Sequence, residues 1–204
     1  YSTAALLLRY VHEEFDRIGA PRDLVQLLPA PVNKTLTNEL LKQVDLVVAT
    51  GSQANIKAAY SSGTPAFGVG AGNVSVIVDR SADLAAAAER IVRSKTFDNA
   101  TSCSSENSVV IDAAVYGPML AALAAQGCVL LDGAEKAQLQ GVLFPAGKLS
   151  GDLTAKTAGE IGRAAGIDRA ATARVLMVEE TGVGPGFPFS GEKLSPVLTV
   201  YQAA

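Results

Sequence analysis

The stretch from Val44 to Val69 constrains the fold more than any other part of the chain. Val44-Asp45-Leu46-Val47-Val48-Ala49-Thr50 has the apolar, β-branched pattern of a buried parallel strand. Gly51-Ser52 opens a helix that reads through Tyr60, Gly63-Thr64-Pro65 turns the chain, and Ala66 to Val69 reads as a second strand. Strand, helix and strand joined by short turns make a βαβ unit, so the expected class is α/β with a parallel sheet. Upstream, Leu7, Leu8, Val11, Phe15 and Ile18 recur at helical spacing over Ala4 to Ile18, and Gly19 and Pro21 end that helix. Leu24 to Leu28 reads as a short strand, and Thr35 to Gln43 as a helix capped by Thr35.

After Gly68-Val69-Gly70-Ala71-Gly72 a second block begins. Its predicted strands are Val74 to Val78, Val109 to Ile111, Arg174 to Val178 and Pro196 to Tyr201. Its predicted helices are Ala82 to Lys95, Tyr116 to Gln126, Ala134 to Gln140 and Leu153 to Ala165, with a Gly/Pro/Phe-rich loop over Gly182 to Gly191. A domain boundary is expected near Ala71, dividing residues 1–71 from 72–204. The 204 residues suit one large domain or two small ones, and a 49% hydrophobic composition supplies a substantial core. The chain starts directly in a helix at Tyr1 and stops after a strand at Ala204, which reads as an excerpt of a longer protein.

Charge and cysteine usage exclude several classes. The net charge of -3 and the lack of a basic cluster argue against a nucleic-acid partner. No apolar run approaches the roughly 18 residues of a membrane span, and no signal peptide opens the chain. Cys103 and Cys128 form no CxxC pair, which suits reduced thiols in a cytoplasmic setting, and no metal site is expected.

Cys103 carries the strongest chemical signal. It lies in Ser94-Lys95-Thr96-Phe97-Asp98-Asn99-Ala100-Thr101-Ser102-Cys103-Ser104-Ser105-Glu106-Asn107-Ser108, among small hydroxyl and amide side chains. A core cysteine has apolar neighbours, as Cys128 does beside Val129-Leu130-Leu131; a thiol in small polar company suits a nucleophile. The only histidine, His12, lies far off beside Glu13 and Glu14 and reads as a surface residue. A Cys103 thiolate would therefore depend on backbone dipoles or lysine. Thr50-Gly51-Ser52, between a strand and a helix, has the geometry of a phosphate site, although Ser52 as a simple helix cap explains the same residues. There is no GxGxxG. Gly70 and Gly72 let backbone pass close to a cofactor or serve a flexible turn. Glu192, in Glu192-Lys193-Leu194-Ser195-Pro196, offers a carboxylate to a ribose diol; alone, it reads as half of a surface Glu–Lys pair.

Five of these segments, in order, resemble the aldehyde dehydrogenase superfamily, and more closely its CoA-acylating branch, which includes the aldehyde domain of aldehyde-alcohol dehydrogenases. They are Val47-Val48-Ala49-Thr50-Gly51, Lys57-Ala58-Ala59-Tyr60-Ser61-Ser62-Gly63, Gly68-Val69-Gly70-Ala71-Gly72-Asn73, Ser94-Lys95-Thr96-Phe97-Asp98-Asn99 and Glu192-Lys193-Leu194-Ser195-Pro196-Val197. The resemblance implies part of a Rossmann-like NAD(P)-binding domain over residues 1–71 and a catalytic α/β domain over 72–204. It implies Cys103 as nucleophile, with its own N–H as an oxyanion donor. It assigns Thr50, Gly51 and Ser52 to the pyrophosphate loop and Glu192 to the nicotinamide ribose. The cofactor would be NAD or NADP, CoA the co-substrate, and the enzyme a cytoplasmic homo-oligomer.

The resemblance also separates sub-classes. Hydrolytic members carry a glutamate just before the glycines corresponding to Ala71-Gly72, and Phe67 to Asn73 has no carboxylate. Water needs a general base to attack a thioester, whereas a CoA thiol is far more nucleophilic, so acyl transfer to CoA is favoured over hydrolysis. Members commonly have glycine where this chain has Ala100, and histidine where it has Gly191. The polar surroundings of Cys103 are similar to those of acylating sulfoacetaldehyde dehydrogenases, which implies a polar or anionic aldehyde. The alternatives at this level are a hydrolytic aldehyde dehydrogenase, a catalytically silent relative serving as a subunit, and a reductase of acyl phosphates.

Overall fold

A computed structural model describes all residues from Tyr1 to Ala204, in two compact units, Tyr1–Gly70 and Ala71–Ala204.

In the first unit, helix α1 (Ser2–Ile18) ends where Gly19 turns left-handed at φ 73° and its N–H closes on the Phe15 carbonyl. The strand expected over Leu24 to Leu28 does not form. Arg22–Leu24 make a single 3₁₀ turn, and the Val25 carbonyl lies 2.9 Å from His12 Nε2 instead of entering a ladder. The unit's sheet has two strands, and this run pairs with neither. Helix α2 (Lys34–Gln43) is capped not by Thr35 but by Asn33, whose side chain accepts from the Leu36 N–H at 2.9 Å.

Strand β1 is Val47–Thr50, shorter than the apolar run from Val44. Helix α3 (Gln53–Tyr60) follows, then strand β2 (Ala66–Val69). The parallel register runs from Val47 opposite Ala66 to Thr50 opposite Val69, so the four-residue β2 leaves nothing to pair with Val44 to Leu46. Ile56 and Ala59 are the buried residues of α3.

The second unit is built on strands β3 (Val74–Val78), β4 (Glu106–Asp112), β5 (Cys128–Leu130), β6 (Val175–Glu179) and β7 (Val197–Ala203). They form one all-parallel sheet in the order β3-β4-β7-β6-β5. Helices α4 (Leu84–Thr96) and α5 (Tyr116–Ala125) pack on one face, α6 (Gly133–Leu143) and α7 (Ala158–Ala164) on the other. The run Val175-Leu176-Met177-Val178 explains itself in this setting. Val175 and Met177 enter the core beneath α4 and α5, while Leu176 and Val178 enter the core beneath α6 and α7.

β5 was not foreseen as a strand; Cys128, 4% exposed, is packed within it. The helix expected over Leu153 to Ala165 is confined to α7, because Ala155 takes φ 63° and Thr157 with Glu160 builds a capping box that starts the helix afresh. No helix is long and apolar enough to cross a membrane.

Candidate active site

The order of the second sheet gathers three candidate residues. Gly72 lies just ahead of β3, Cys103 just ahead of β4, and Glu192 in the loop ahead of β7. Those strands are adjacent and parallel, so their amino ends share one edge. Contacts follow from this placement. The Gly72 N–H donates to Glu192 Oε1 at 3.3 Å, and Asn73 Nδ2 donates to the Ser190 carbonyl at 2.9 Å. A Cβ added to Gly72 would lie 2.5 Å from the Cys103 carbonyl oxygen and 3.3 Å from Glu192 Oε1. Glycine is required there because backbone passes backbone.

Cys103 is an exposed, free thiol on a turn between α4 and β4. The chain reaches it through three consecutive left-handed residues, Asp98 (φ 48°), Asn99 (φ 49°) and Ala100 (φ 58°). Such conformations are unfavourable for side chains bearing a Cβ and persist only where the surroundings hold them. Here Asn99 Nδ2 donates to the Ala155 carbonyl at 2.9 Å, and the Ala155 N–H donates to the Leu194 carbonyl at 3.2 Å. Ala155 (φ 63°) and Leu194 (φ 43°) are themselves left-handed. The strained turn before Cys103 is thus tied to the loop that carries Glu192. Ala100 occupies a position where glycine would escape the Cβ penalty.

Beneath these loops lie two buried lysines. Lys95, on α4, is 1% exposed, and Lys193 is 0% exposed. The reading of Glu192-Lys193 as a surface pair is therefore corrected. Lys193 Nζ donates to the Phe189 carbonyl at 2.7 Å and the Gly191 carbonyl at 2.9 Å, and its backbone N–H donates to Asn107 Oδ1 at 3.0 Å. An uncharged amine has two N–H groups, and both are used here. Desolvation, then the charge of Lys95, lowers the Lys193 pKa from 10.5 to about 6, against the opposing pull of Glu180. Desolvation likewise brings Lys95 down from 10.5 to about 8, opposed by Glu106. Glu180 is itself held by Lys136 at 3.0 Å. Buried hydroxyls of Ser105 and Ser195, and Glu106 Oε2, have no partner.

The folded-state pKa of Lys193 is below its unfolded value, so between about 6 and 10.5 the unfolded chain binds more protons. This lysine therefore makes stability rise with pH through that window. Comparing Lys193→Met with the unaltered protein by chemical denaturation, the difference is expected to move in favour of the unaltered protein as pH rises. A pH-independent difference would mean that Lys193 stays charged when folded.

In the first unit, Thr50 ends β1 and Gly51 follows with φ 119°, its N–H donating to the Val69 carbonyl at 3.3 Å. Ser52 caps α3, accepting from the Asn55 N–H at 3.4 Å. Gly70 follows β2, and a Cβ there would lie 2.5 Å from Gln53 Nε2. Thr50, Gly51, Ser52 and Gly70 thus collect at the carboxyl ends of β1 and β2, where the first N–H groups of α3 lack helical partners. The two units differ: here the candidates lie beyond the carboxyl ends of strands, whereas Gly72, Cys103 and Glu192 lie at amino ends.

Sequence reasoning missed the buried lysines, Asn107, and the arginines Arg90 and Arg93 on α4. Ala88, Ile91 and Val92, at i, i+3 and i+4, carried a usable signal: they put Arg90 and Arg93 on the opposite, outward face.

The aldehyde dehydrogenase family model matches residues 2–137. An acylating sulfoacetaldehyde dehydrogenase from Cupriavidus necator is 62% identical over 98% of this chain, which spans 41% of that protein. An acetylating aldehyde dehydrogenase structure from Geobacillus thermoglucosidasius is 39% identical with a TM-score of 0.89, covering 96% of this chain and 44% of its own. A Rhodopseudomonas palustris propionaldehyde dehydrogenase structure with bound propionyl-CoA is 30% identical with a TM-score of 0.85, covering 97% of this chain and 44% of its own.

Proposed function

The chain belongs to the aldehyde dehydrogenase family, and from that premise we propose that it carries the nucleophile and part of the nucleotide site of an NAD(P)-dependent, CoA-acylating aldehyde dehydrogenase. Residues 1–71 are then the C-terminal part of the NAD(P)-binding domain and 72–204 the catalytic domain. A cytoplasmic homo-oligomer belongs to the same proposal.

Each unit, taken by itself, carries residues that suit part of a dinucleotide. Gly51 at φ 119° and the unpaired amides opening α3 would hold a pyrophosphate, with Ser52 and Thr50 adding hydroxyls and Gly70 leaving room for backbone approach. Gly72 and Glu192 would hold the nicotinamide ribose, the carboxylate accepting from its diol. When bound, the nicotinamide supplies the hydride acceptor.

The protein's part centres on Cys103. Its sulfur bonds to the aldehyde carbon, and the carbonyl π electrons move to oxygen, giving a thiohemiacetal. The Cys103 N–H offers a hydrogen bond to the oxyanion, a contribution of about 2.7–4 kcal/mol per donor. Loss of hydride from the same carbon leaves a thioester on Cys103. The CoA thiolate then attacks that carbon, the bond to Cys103 breaks, and acyl-CoA leaves with the Cys103 thiolate regenerated.

The observation that carries this reading is the exposed Cys103 beside Gly72 and Glu192 at the shared amino edge of β3, β4 and β7. The lack of a carboxylate in Phe67 to Asn73 favours CoA over water as the acyl acceptor. Similarity to proteins named as acylating and acetylating supports the same choice. The test follows nicotinamide reduction by the intact enzyme with and without CoA. Reduction that needs CoA and yields acyl-CoA is expected; sustained reduction without it, giving free acid, would overturn the acylating assignment.

A further inference from the structure

The second unit contains a cleft of about 400 Å³ beside the nucleophile turn, within the size range of small-molecule sites. Arg90, Arg93 and Phe97 line it together with Ser102, Ser104 and Ser105. Ser102 and Ser104, on either side of Cys103 in sequence, line this cleft with their hydroxyls 2.8 Å apart, so the cleft borders the turn that carries the thiol. Arg90 and Arg93 project from the face of α4 opposite its buried stripe of Ala88, Ile91, Val92 and Lys95.

Neither arginine has a partner. The ion pairs of the chain engage Arg9, Arg17, Arg22, Arg80, Lys136 and Arg169, and neither the Arg90 nor the Arg93 guanidinium makes a hydrogen bond within the protein. Two like charges one turn apart repel unless an anion lies between them. The same cleft is lined by Ser105, whose buried hydroxyl also lacks a partner, a donor that an oxyanion would satisfy. Phe97, 74% exposed, supplies an apolar wall for a short carbon chain.

We propose that this cleft selects aldehydes bearing a small oxyanion, a sulfonate or carboxylate, held by Arg90 and Arg93 while the carbonyl meets Cys103. The proposal rests on Cys103 as the nucleophile and deepens that reading by assigning the residues that choose the substrate.

The test does not depend on turnover. In the intact enzyme, Cys103 is alkylated with iodoacetate or with iodoacetamide. In both reactions its sulfur bonds to the reagent's methylene carbon and iodide leaves, but only iodoacetate is anionic. Mass spectrometry locates the adduct, Cys128 being buried. Arg93→Gln is expected to lower the ratio of the two rate constants about tenfold, and Arg90→Gln with Arg93→Gln to lower it further. Ethanesulfonate should protect the unaltered enzyme from iodoacetamide and not the double variant. A ratio unchanged by both substitutions overturns the proposal, since arginines that merely favour the end of α4 would change stability alone.

A second arm compares kcat/KM for sulfoacetaldehyde and propionaldehyde. The variants should lose about tenfold on the first only, with KM for CoA unchanged. Equal loss on both aldehydes with a raised KM for CoA would assign the arginines to a CoA phosphate and overturn substrate selection. If the unaltered enzyme turns over neither aldehyde, the dehydrogenase reading fails, while the alkylation ratio still decides whether the cleft recognises anions.

Discussion

Cys103→Ser in the intact enzyme is expected to abolish aldehyde-dependent nicotinamide reduction, by on the order of 10⁴-fold or more, while leaving fold and nucleotide binding in place. The proposed chemistry requires a sulfur nucleophile because the thiolate would both attack the aldehyde and leave from the acyl intermediate; a serine hydroxyl is a far weaker nucleophile and a far poorer leaving group. Cys103 is exposed and makes no disulfide, and its side chain is not part of either core, so the change removes reactivity without opening a cavity. Steady-state reduction with CoA present, with circular dichroism as the control for folding, checks it. Turnover within tenfold of the unaltered enzyme would exclude Cys103 as the nucleophile. The only other cysteine, Cys128, is buried, and burial pushes its thiol up to about 12, so it is no substitute.

The next largest effect is expected from Gly72→Ala. The added methyl would sit 2.5 Å from the Cys103 carbonyl oxygen, a distance that no real Cβ tolerates, and 3.3 Å from Glu192 Oε1. The first of these neighbours is backbone, so relief requires movement of the Cys103 turn or of the strand start at Val74. That turn is braced through Asn99, Ala155 and Leu194, and cannot yield without disturbing the loop of Glu192. A displacement of about 1 Å at the reacting group lowers kcat by about 10²-fold, with the thiol itself intact. Gly117→Ala is the control: a Cβ on Gly117 meets nothing within 4 Å, and activity should be unchanged. A Gly72→Ala enzyme of normal kcat would show that the contact between Gly72 and the Cys103 turn does not position the nucleophile.

Local pattern made much of this molecule readable. The βαβ rhythm of β1, α3 and β2 follows from β-branched runs punctuated by Gly51-Ser52 and Gly63-Thr64-Pro65, because turns and short strands are encoded by neighbouring residues. Cys103 stood out for the same reason, since small polar neighbours are a local property. Errors fell where partners decide. Leu24 to Leu28 had strand composition but joined neither strand of its unit, and β1 was trimmed to the length of β2. Asn33 displaced Thr35 as cap because capping depends on which hydroxyl or amide meets the free N–H groups. Lys193 was misread most seriously. A lysine beside a glutamate resembles a surface pair until the fold brings the Phe189 and Gly191 carbonyls around its amine.

The sequence by itself determined the α/β class and the strand–helix alternation, and it singled out Cys103 and Glu192 as candidates. The tertiary structure alone decided that β7, last in the chain, enters the sheet between β4 and β6. That single placement puts the loop of Glu192 beside the Cys103 turn and Gly72, and brings the buried Lys193 close to Lys95. The division has a physical cause: helix and strand propensity act over a few residues. The position of a strand in a sheet is settled by which faces bury together, a non-local choice that no window of sequence contains.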